Sequence, residues 1–553
     1  MKTLHERLRQ APLLLKGPGK GFLFLLVALV SCTEEAPVIL SIDPRIGRIG
    51  EILTIEGKYF GHEQEESYIT IAGTPPTAAA YLAWQDDRIR IRIPEFGGAG
   101  LVYVHREGKK SNPLLFSNRA AIPEPAPNMD TALIPKISSI KPAAGSIGSL
   151  VSIRGSGFGA SRGKSGVFFT WHAEAAPSVP AEELQQKMVE VFEAEFGYEL
   201  WNDWEIRIRV PDGAVSGNIE IRTPQKTSSP FFFNVTGKPG TKTFKEKRSY
   251  TISYAVDIQV QEAKAPNSLY LWVPHPVSSA SQWITEPPVR NRKPFVENYQ
   301  GTTLFQLTDL GADTGAEIRL SYVVGVYTLE TDIKSQSVRQ SGGSPIRSVY
   351  TLPSPLIPSD NPAVTAHAQT ITGSEQNPYE KARKLYEWLI REGGIQRIPL
   401  RNGVLDALEE KRSDPYSASL LFCALARAVD IPAIPVAGVL VNRSRTASRH
   451  YWAEFWIDGF GWVPLDPGLG AGAAPTDFNL RRDPGTYYFG NLDNQRIAFS
   501  RGQGSLSQMD PRGRIAVRSR DYALQNLWEE AAGGLESYSS LWSEIAVTGM
   551  YTQ

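Results

Sequence analysis

Between residues 37 and 352 apolar and polar positions alternate in short runs such as VILSID, ILTIEG, RIRIRIPEF, EIRIRVPDG, YTISYAVDIQV, SLYLWVP and EIRLSYVVGVYTL. Glycine, proline and aspartate interrupt them. A period of two bounded by turn residues predicts half-buried strands, so this part of the chain is expected to be β-structure. The period changes at Pro378, where Tyr379, Ala382, Leu385, Tyr386, Leu389 and Ile390 recur at helical spacing up to Gly393-Gly394. A second helix is expected from Pro415 to Val429: Asp414 suits the N-cap, Pro415 the first helical position, and the run is apolar almost all round, as in a buried helix. Alternation returns in IPVAGVLV and in RHYWAEFWIDGFGWVPLD (449–466), where Asp458-Gly459 separates two runs like the tight turn of a hairpin. A turn centred near 458 puts His450 and Asp466 opposite or nearly opposite each other, with Cβ atoms roughly 5 Å apart.

Two further stretches show helical spacing. PAEELQQKMVEVFEAEF (180–196) reads as a short amphipathic helix, either an elaborated loop packed on its own domain or a partner-binding element. The segment from Tyr522 to Trp542 reads as partly helical, with Leu524, Leu527 and Trp528 on one side, docked on the core.

The strands at 37–61 and 135–159 belong to an internal repeat. PVILSIDPRIGRIGEILTIEGKYFG and PKISSIKPAAGSIGSLVSIRGSGFG align without a gap at an offset of 98, with Pro44, Gly47, Gly50, Gly57, Phe60 and Gly61 recurring as Pro142, Gly145, Gly148, Gly155, Phe158 and Gly159. Such glycines mark positive φ or close backbone approach. Each half resembles an IPT/TIG immunoglobulin-like domain, with later strands in 88–96 and 205–213; the second copy is longer, around 180–196. The Pro-rich AAIPEPAPNMD between them is a semi-rigid spacer.

Composition narrows the class. The chain has 553 residues, too many for one core, with 41% hydrophobic and 21% charged residues, ordinary for globular domains. A net charge of zero gives no sign of nucleic-acid binding. The first 20 residues are basic, and Phe22–Val30 is an apolar run too short for an ordinary membrane-spanning helix. With Leu29-Val30-Ser31-Cys32 it resembles a bacterial lipoprotein signal. The resemblance implies cleavage before Cys32, a lipid on that thiol and, with Thr33 following, the outer membrane in a two-membrane cell; an ordinary secretory peptide is the alternative. Cys32 and Cys423 are the only cysteines, so a lipidated Cys32 leaves no internal disulfide and Cys423 as the remaining thiol.

The chemistry centres on the hairpin. A histidine oriented by a carboxylate is two thirds of a cysteine-histidine-aspartate site. SDPYSASLLFCALARAVDIPAIPVAG (413–438) together with the hairpin resembles the transglutaminase-like superfamily, related in fold to papain-type cysteine proteases, over about 378–470. That resemblance implies a G-D-C opening of the helix, with the thiolate favoured by the helix N-terminus and the imidazolium. Counting back from Ala424, Leu425, Arg427 and Ala428, the nucleophile falls on Pro415, which has no nucleophilic atom. Cys423 lies two turns on, about 12 Å along the axis, and reads as a small buried residue; Ser413 and Ser417 read as capping or solvent-facing. His450 and Asp466 then remain as a structural hydrogen bond or as the floor of a binding cleft. Tyr487, Tyr488 and Phe489 border that cleft or pack in the core.

The expected protein is multidomain, with two all-β Ig-like sandwiches, a further β-sandwich and an α+β transglutaminase-like core. Its parts are a signal peptide (1–31), Ig-like domains at 32–118 and 135–236 joined by the spacer 119–134, a β-sandwich (243–356), the core (374–510) and a C-terminal extension (511–553). No cofactor is expected, and the absence of HExxH, CxxC and Walker patterns argues against zinc and nucleotides. The expected role is binding or scaffolding of a peptide, protein or envelope polymer by an anchored, inactive domain. The alternative is an amide-bond enzyme with an atypical nucleophile beside His450 and Asp466.

Overall fold

The two repeats form two sandwiches of the same design. The computed structural model describes residues 35–552 apart from 63–66, 95–99, 119–133, 173–186, 340–344, 401, 505, 511 and 519. The leader, Cys32 and nearly all of the spacer lie outside the described residues. In the first sandwich Val38–Asp43, Ile52–Lys58, Arg88–Arg92 and Tyr81–Trp84 form a sheet in that order. It packs its isoleucines against Ser67–Ile71, Gly100–Arg106 and Leu114–Asn118. In the second, Lys136–Lys141, Leu150–Ser156, Glu205–Arg209 and Tyr198–Trp201 repeat the order. Both copies carry the same bulge, between Ile39 and Ser41 and between Ile137 and Ser139. The shared glycines have a physical cause here: a Cβ on Gly57 or Gly155 would collide with the carbonyl of Val38 or Lys136 on the paired strand.

The helix expected within 180–196 does not form where the chain is described. Lys187–Glu190 is a strand paired with Gly166–Trp171, and Glu193–Glu195 is one 3-10 turn. Val189 and Val191 point inward at a spacing of two, and an available partner strand decides between the two periodicities.

Downstream, the 35-residue strand Gly240–Pro274 is the backbone of a nine-stranded sheet. Its first half pairs with Gly315–Ile333 and its second with Thr302–Thr308. On another edge it takes Glu529–Trp542 and Ala546–Thr552. The C-terminal extension is therefore β-structure, a correction to the helical expectation for 522–542. Gly533-Gly534, with Gly533 at φ 65°, interrupts any helix, and the edge of the long strand offers backbone partners instead.

The core domain packs Pro362–Thr372, Pro378–Glu392, Val404–Glu410 and the helix Pro415–Ala428 against a sheet ordered Gly461–Leu465, Ala447–Ile457, Ala433–Val441, Arg496–Arg501. Asp414 caps the Pro415 helix by accepting from the Ser417 amide at 2.9 Å, and the helix is buried from Tyr416 to Arg427. Along Ala447–Ile457, Tyr451, Ala453, Phe455 and Ile457 pack with that helix, while Trp452 and Trp456 join other clusters. Alternation thus divides one strand between the helical core and the rest of the protein.

The hairpin tip is fixed in the second sandwich. Gly459 bridges to Ile147, and the carboxylate of Asp212 pairs with Lys242 and accepts from the Trp462 amide at 3.3 Å. Lys242 also donates to the Trp462 carbonyl at 2.7 Å. Nearby, Arg501 is clamped between Glu195 of the second sandwich and Glu454 of the hairpin. One hydrophobic cluster runs from Val151 and Trp171 to Trp456 and Trp462 without interruption.

Candidate functional site

The hairpin closes through three residues rather than two. Ile457 pairs with Gly461, and the Phe460 amide donates to Ile457 O at 3.0 Å. The register from Ala453↔Leu465 to Ile457↔Gly461, carried on, sets residue 466 opposite Trp452, not His450, which corrects the expected pairing. Pairing stops at Leu465, however, and Asp466 turns away to cap the short helix Pro467–Gly470, its Oδ1 accepting from the Leu469 amide at 2.9 Å. From there its Oδ2 reaches His450 Nε2 at 2.8 Å. His450 is 2% exposed and Asp466 0%.

Pro415 lies beside this pair. The point a Cβ on Gly468 would occupy is 3.1 Å from His450 Cε1 and 3.1 Å from the Cβ and Cγ of Pro415, so imidazole and pyrrolidine flank Gly468 within about 6 Å of each other. The hydroxyls near that helix end are committed: Ser413 Oγ donates to Gly393 O at 2.7 Å, and Ser417 Oγ, with Asp414, completes a capping box. Cys423 is fully buried mid-helix, and burial pushes its thiol up to about 12.

Sequence reasoning missed the other half of the site. Arg496 Nη1 donates at 2.9 Å to the same Asp466 Oδ2 that meets His450, and Arg496 Nη2 donates at 3.0 Å to Asp493 Oδ2. Tyr488 O–H also donates to Asp493 Oδ2, at 2.8 Å. Arg496 is 3% exposed and its guanidinium stands over the rings of Trp452 and Tyr488 at 5.0 and 5.8 Å. Burial by itself raises the carboxyl of Asp466; the charge and hydrogen bond of His450, the guanidinium of Arg496 and the Leu469 amide overcome it and hold the group below its usual range. The reverse holds at Arg496, where burial opposes the charge but Asp493 and Asp466 raise its pKa. The available signal was Asp493-x-x-Arg496, two charges in a segment that otherwise buries every side chain from Leu492 to Phe499.

Tyr488 is buried, and Phe489 packs against Tyr379, Tyr386 and Phe455. These aromatics therefore do core packing. Two small hollows lie near the hairpin tip, lined by residues such as Glu195, Asp212 and Trp456 in one and Arg347, Trp456 and Asp458 in the other, and neither opens on His450. Among the described residues no group of three His, Cys, Asp or Glu is placed to hold a metal.

Comparison with known proteins agrees with this architecture. Residues 365–467 match the transglutaminase-like superfamily, and 37–117 and 135–178 match the IPT/TIG domain. An uncharacterized protein of Haemophilus influenzae is 27% identical over 189 residues, covering 27% of this chain and 49% of its own. A cyclomaltodextrin glucanotransferase of Paenibacillus macerans is 26% identical over 86 residues, 16% of this chain and 12% of the enzyme. The chain thus spans about half the length of the first relative and far less of the second. Among solved structures, a candidate cysteine protease from Cytophaga hutchinsonii is 15% identical with a TM-score of 0.35, covering 57% of this chain and 92% of that one. The chain is a multidomain protein that carries two IPT/TIG domains ahead of a transglutaminase-like domain.

Proposed function

We propose that this chain is a cell-envelope lipoprotein, anchored through Cys32, whose transglutaminase-like domain performs no acyl transfer and serves binding or scaffolding of a peptide, protein or envelope polymer. The observation that carries the reading is Pro415 at the start of the buried helix, beside His450. Acyl transfer needs a nucleophile within hydrogen-bond reach of the base. Ser413 and Ser417 are held in capping and loop hydrogen bonds, and Cys423 is a neutral thiol inside the helix bundle. The near-complete burial of His450 favours a structural hydrogen bond over the floor of an open cleft, so ligand contacts of this domain fall to surfaces away from the His450–Asp466 pair.

The test treats the full chain with iodoacetamide and with a fluorophosphonate, then maps adducts by mass spectrometry. No adduct at Ser413, Ser417 or Cys423 is expected in the folded protein. An adduct there that vanishes in His450→Ala establishes an atypical nucleophile and sinks the proposal. For the anchor, Cys32→Ser is expected to move the protein from the membrane fraction to the soluble one; unchanged fractionation defeats that part alone.

A further inference from the structure

A histidine-aspartate pair that lost its nucleophile has no reason to stay aligned unless something else aligns it. Asp466 could rotate about its side chain if the imidazole were its one partner, since a single hydrogen bond fixes neither the carboxylate plane nor the choice of oxygen. In this protein three donors hold it: Leu469 N on Oδ1, and both His450 Nε2 and Arg496 Nη1 on Oδ2. Arg496 is itself held at its far end, where Asp493 Oδ2 takes its Nη2 and the Tyr488 hydroxyl, and Asp493 Oδ1 takes the Gln495 amide at 2.8 Å. The whole array is at most 4% exposed, so no solvent competes for these bonds.

The strand geometry makes this reach possible. His450 pairs with Gly438 on the neighbouring strand and Gly438 pairs with Ala498 on the next, so, while Leu440 of that middle strand stands opposite Arg496, the middle-strand position beside the imidazole carries no side chain. Arg496, two residues before Ala498 on the same strand, extends into that space.

The geometry points to Arg496 as the positioning residue of the site: it fixes Asp466 and, through Asp466, keeps the ring of His450 oriented beside position 415. This rests on the reading of Pro415 as the nucleophile position, and the test separates the two. In the full chain, Pro415→Cys introduces a thiol at that position, and its alkylation by iodoacetamide is followed against pH, with Cys423 protected by burial. A pH midpoint well below the about 8.5 of a free cysteine is expected. His450→Ala in that background returns it to the free value. Arg496→Gln raises the midpoint and slows alkylation at pH 6.5 by about tenfold or more, and Arg496→Lys restores part of the rate. If Arg496→Gln fails to fold, Asp493→Asn loosens the far end of Arg496 while leaving its charge beside Asp466, and a smaller shift in the same direction is expected. A midpoint that depends on His450 and is indifferent to Arg496 and Asp493 overturns the positioning role and leaves the site assignment standing. A midpoint at the free value that ignores His450 overturns both.

Discussion

Arg496 and Arg501 stand at the two ends of one six-residue strand, and each is a buried guanidinium between two carboxylates. They differ in what they join and in how well the acids are supplied with donors. Arg496 connects residues of a single domain, and Asp466 receives three hydrogen bonds and is held below its usual range. Arg501 joins Glu195 of the second sandwich to Glu454 of the hairpin, with Asp212 close by. There burial dominates: Arg501 pulls the carboxyl of Glu195 down, yet burial together with Asp212 and Glu454 leaves it above its ordinary 4.5. The same device gives a well-supplied pair of acids at the site, with the Nε of Arg496 left without a hydrogen bond, and an acid-rich network at the joint between domains.

The largest effect is expected from Arg496→Ala. It strands Asp466 and Asp493 without a countercharge and should cost about 3–5 kcal/mol in urea denaturation. Arg501→Ala should cost less, about 1–3 kcal/mol, because the side chains of Arg501, Glu195 and Glu454 keep 9–12% exposure, against 0–3% around Arg496, so water can reach the stranded acids; it should also split unfolding into two calorimetric transitions as the joint loosens. An Arg501 loss equal to or above that of Arg496 breaks the comparison. The pH dependence sharpens it, since the two acids act with opposite sign. Asp466 contributes stability that is present above the unfolded value of 3.8 and is lost as the pH falls through its lower folded value. Glu195 binds a proton more readily when folded, so its contribution declines as the pH climbs from 4.5 through its higher folded value. Asp466→Asn should therefore flatten the limb below about pH 4, and Glu195→Gln the decline above about pH 4.5, both read from melting temperature against pH. The smallest effect is expected from Cys423→Ala, outside both networks: about 1 kcal/mol, with both limbs unchanged.

What could be read from the sequence was local. The Asp414-Pro415 cap, the buried helix and the recurrence of Gly57 as Gly155 each depend on residues within one turn or one strand pair, and the structure places them as that reading requires. His450 and Asp466 were also visible, though through a register two residues away from the real one, because the loop runs from Asp458 to Phe460 and its centre is Gly459 rather than Asp458. Arg496 was hidden because Asp466, the partner that ties it to His450, lies 30 residues back. The extension failed for a related reason: Leu524, Leu527 and Trp528 are buried as expected, but the strand after them exists because Gly240–Pro274, more than 250 residues earlier, leaves an edge to pair with. Non-local pairing leaves no periodic mark of its own.

The docking of the hairpin tip bears on how this protein can be inherited. Repeats with their own cores are commonly exchanged as units, and the first sandwich has such a core. The second does not stand apart: Gly461 has no room for a Cβ because the Asp212 carboxylate occupies it, and Gly148 lies where a Cβ would be 2.9 Å from Trp456. A lineage that replaced the second sandwich alone would leave Trp456, Trp462 and Lys242 without their complement. The second sandwich and the domain behind it are therefore one heritable block, and the first sandwich, although it has its own core, is tied to that block where Tyr103 packs with it and donates to Glu199 and where Arg45 donates to Gln300.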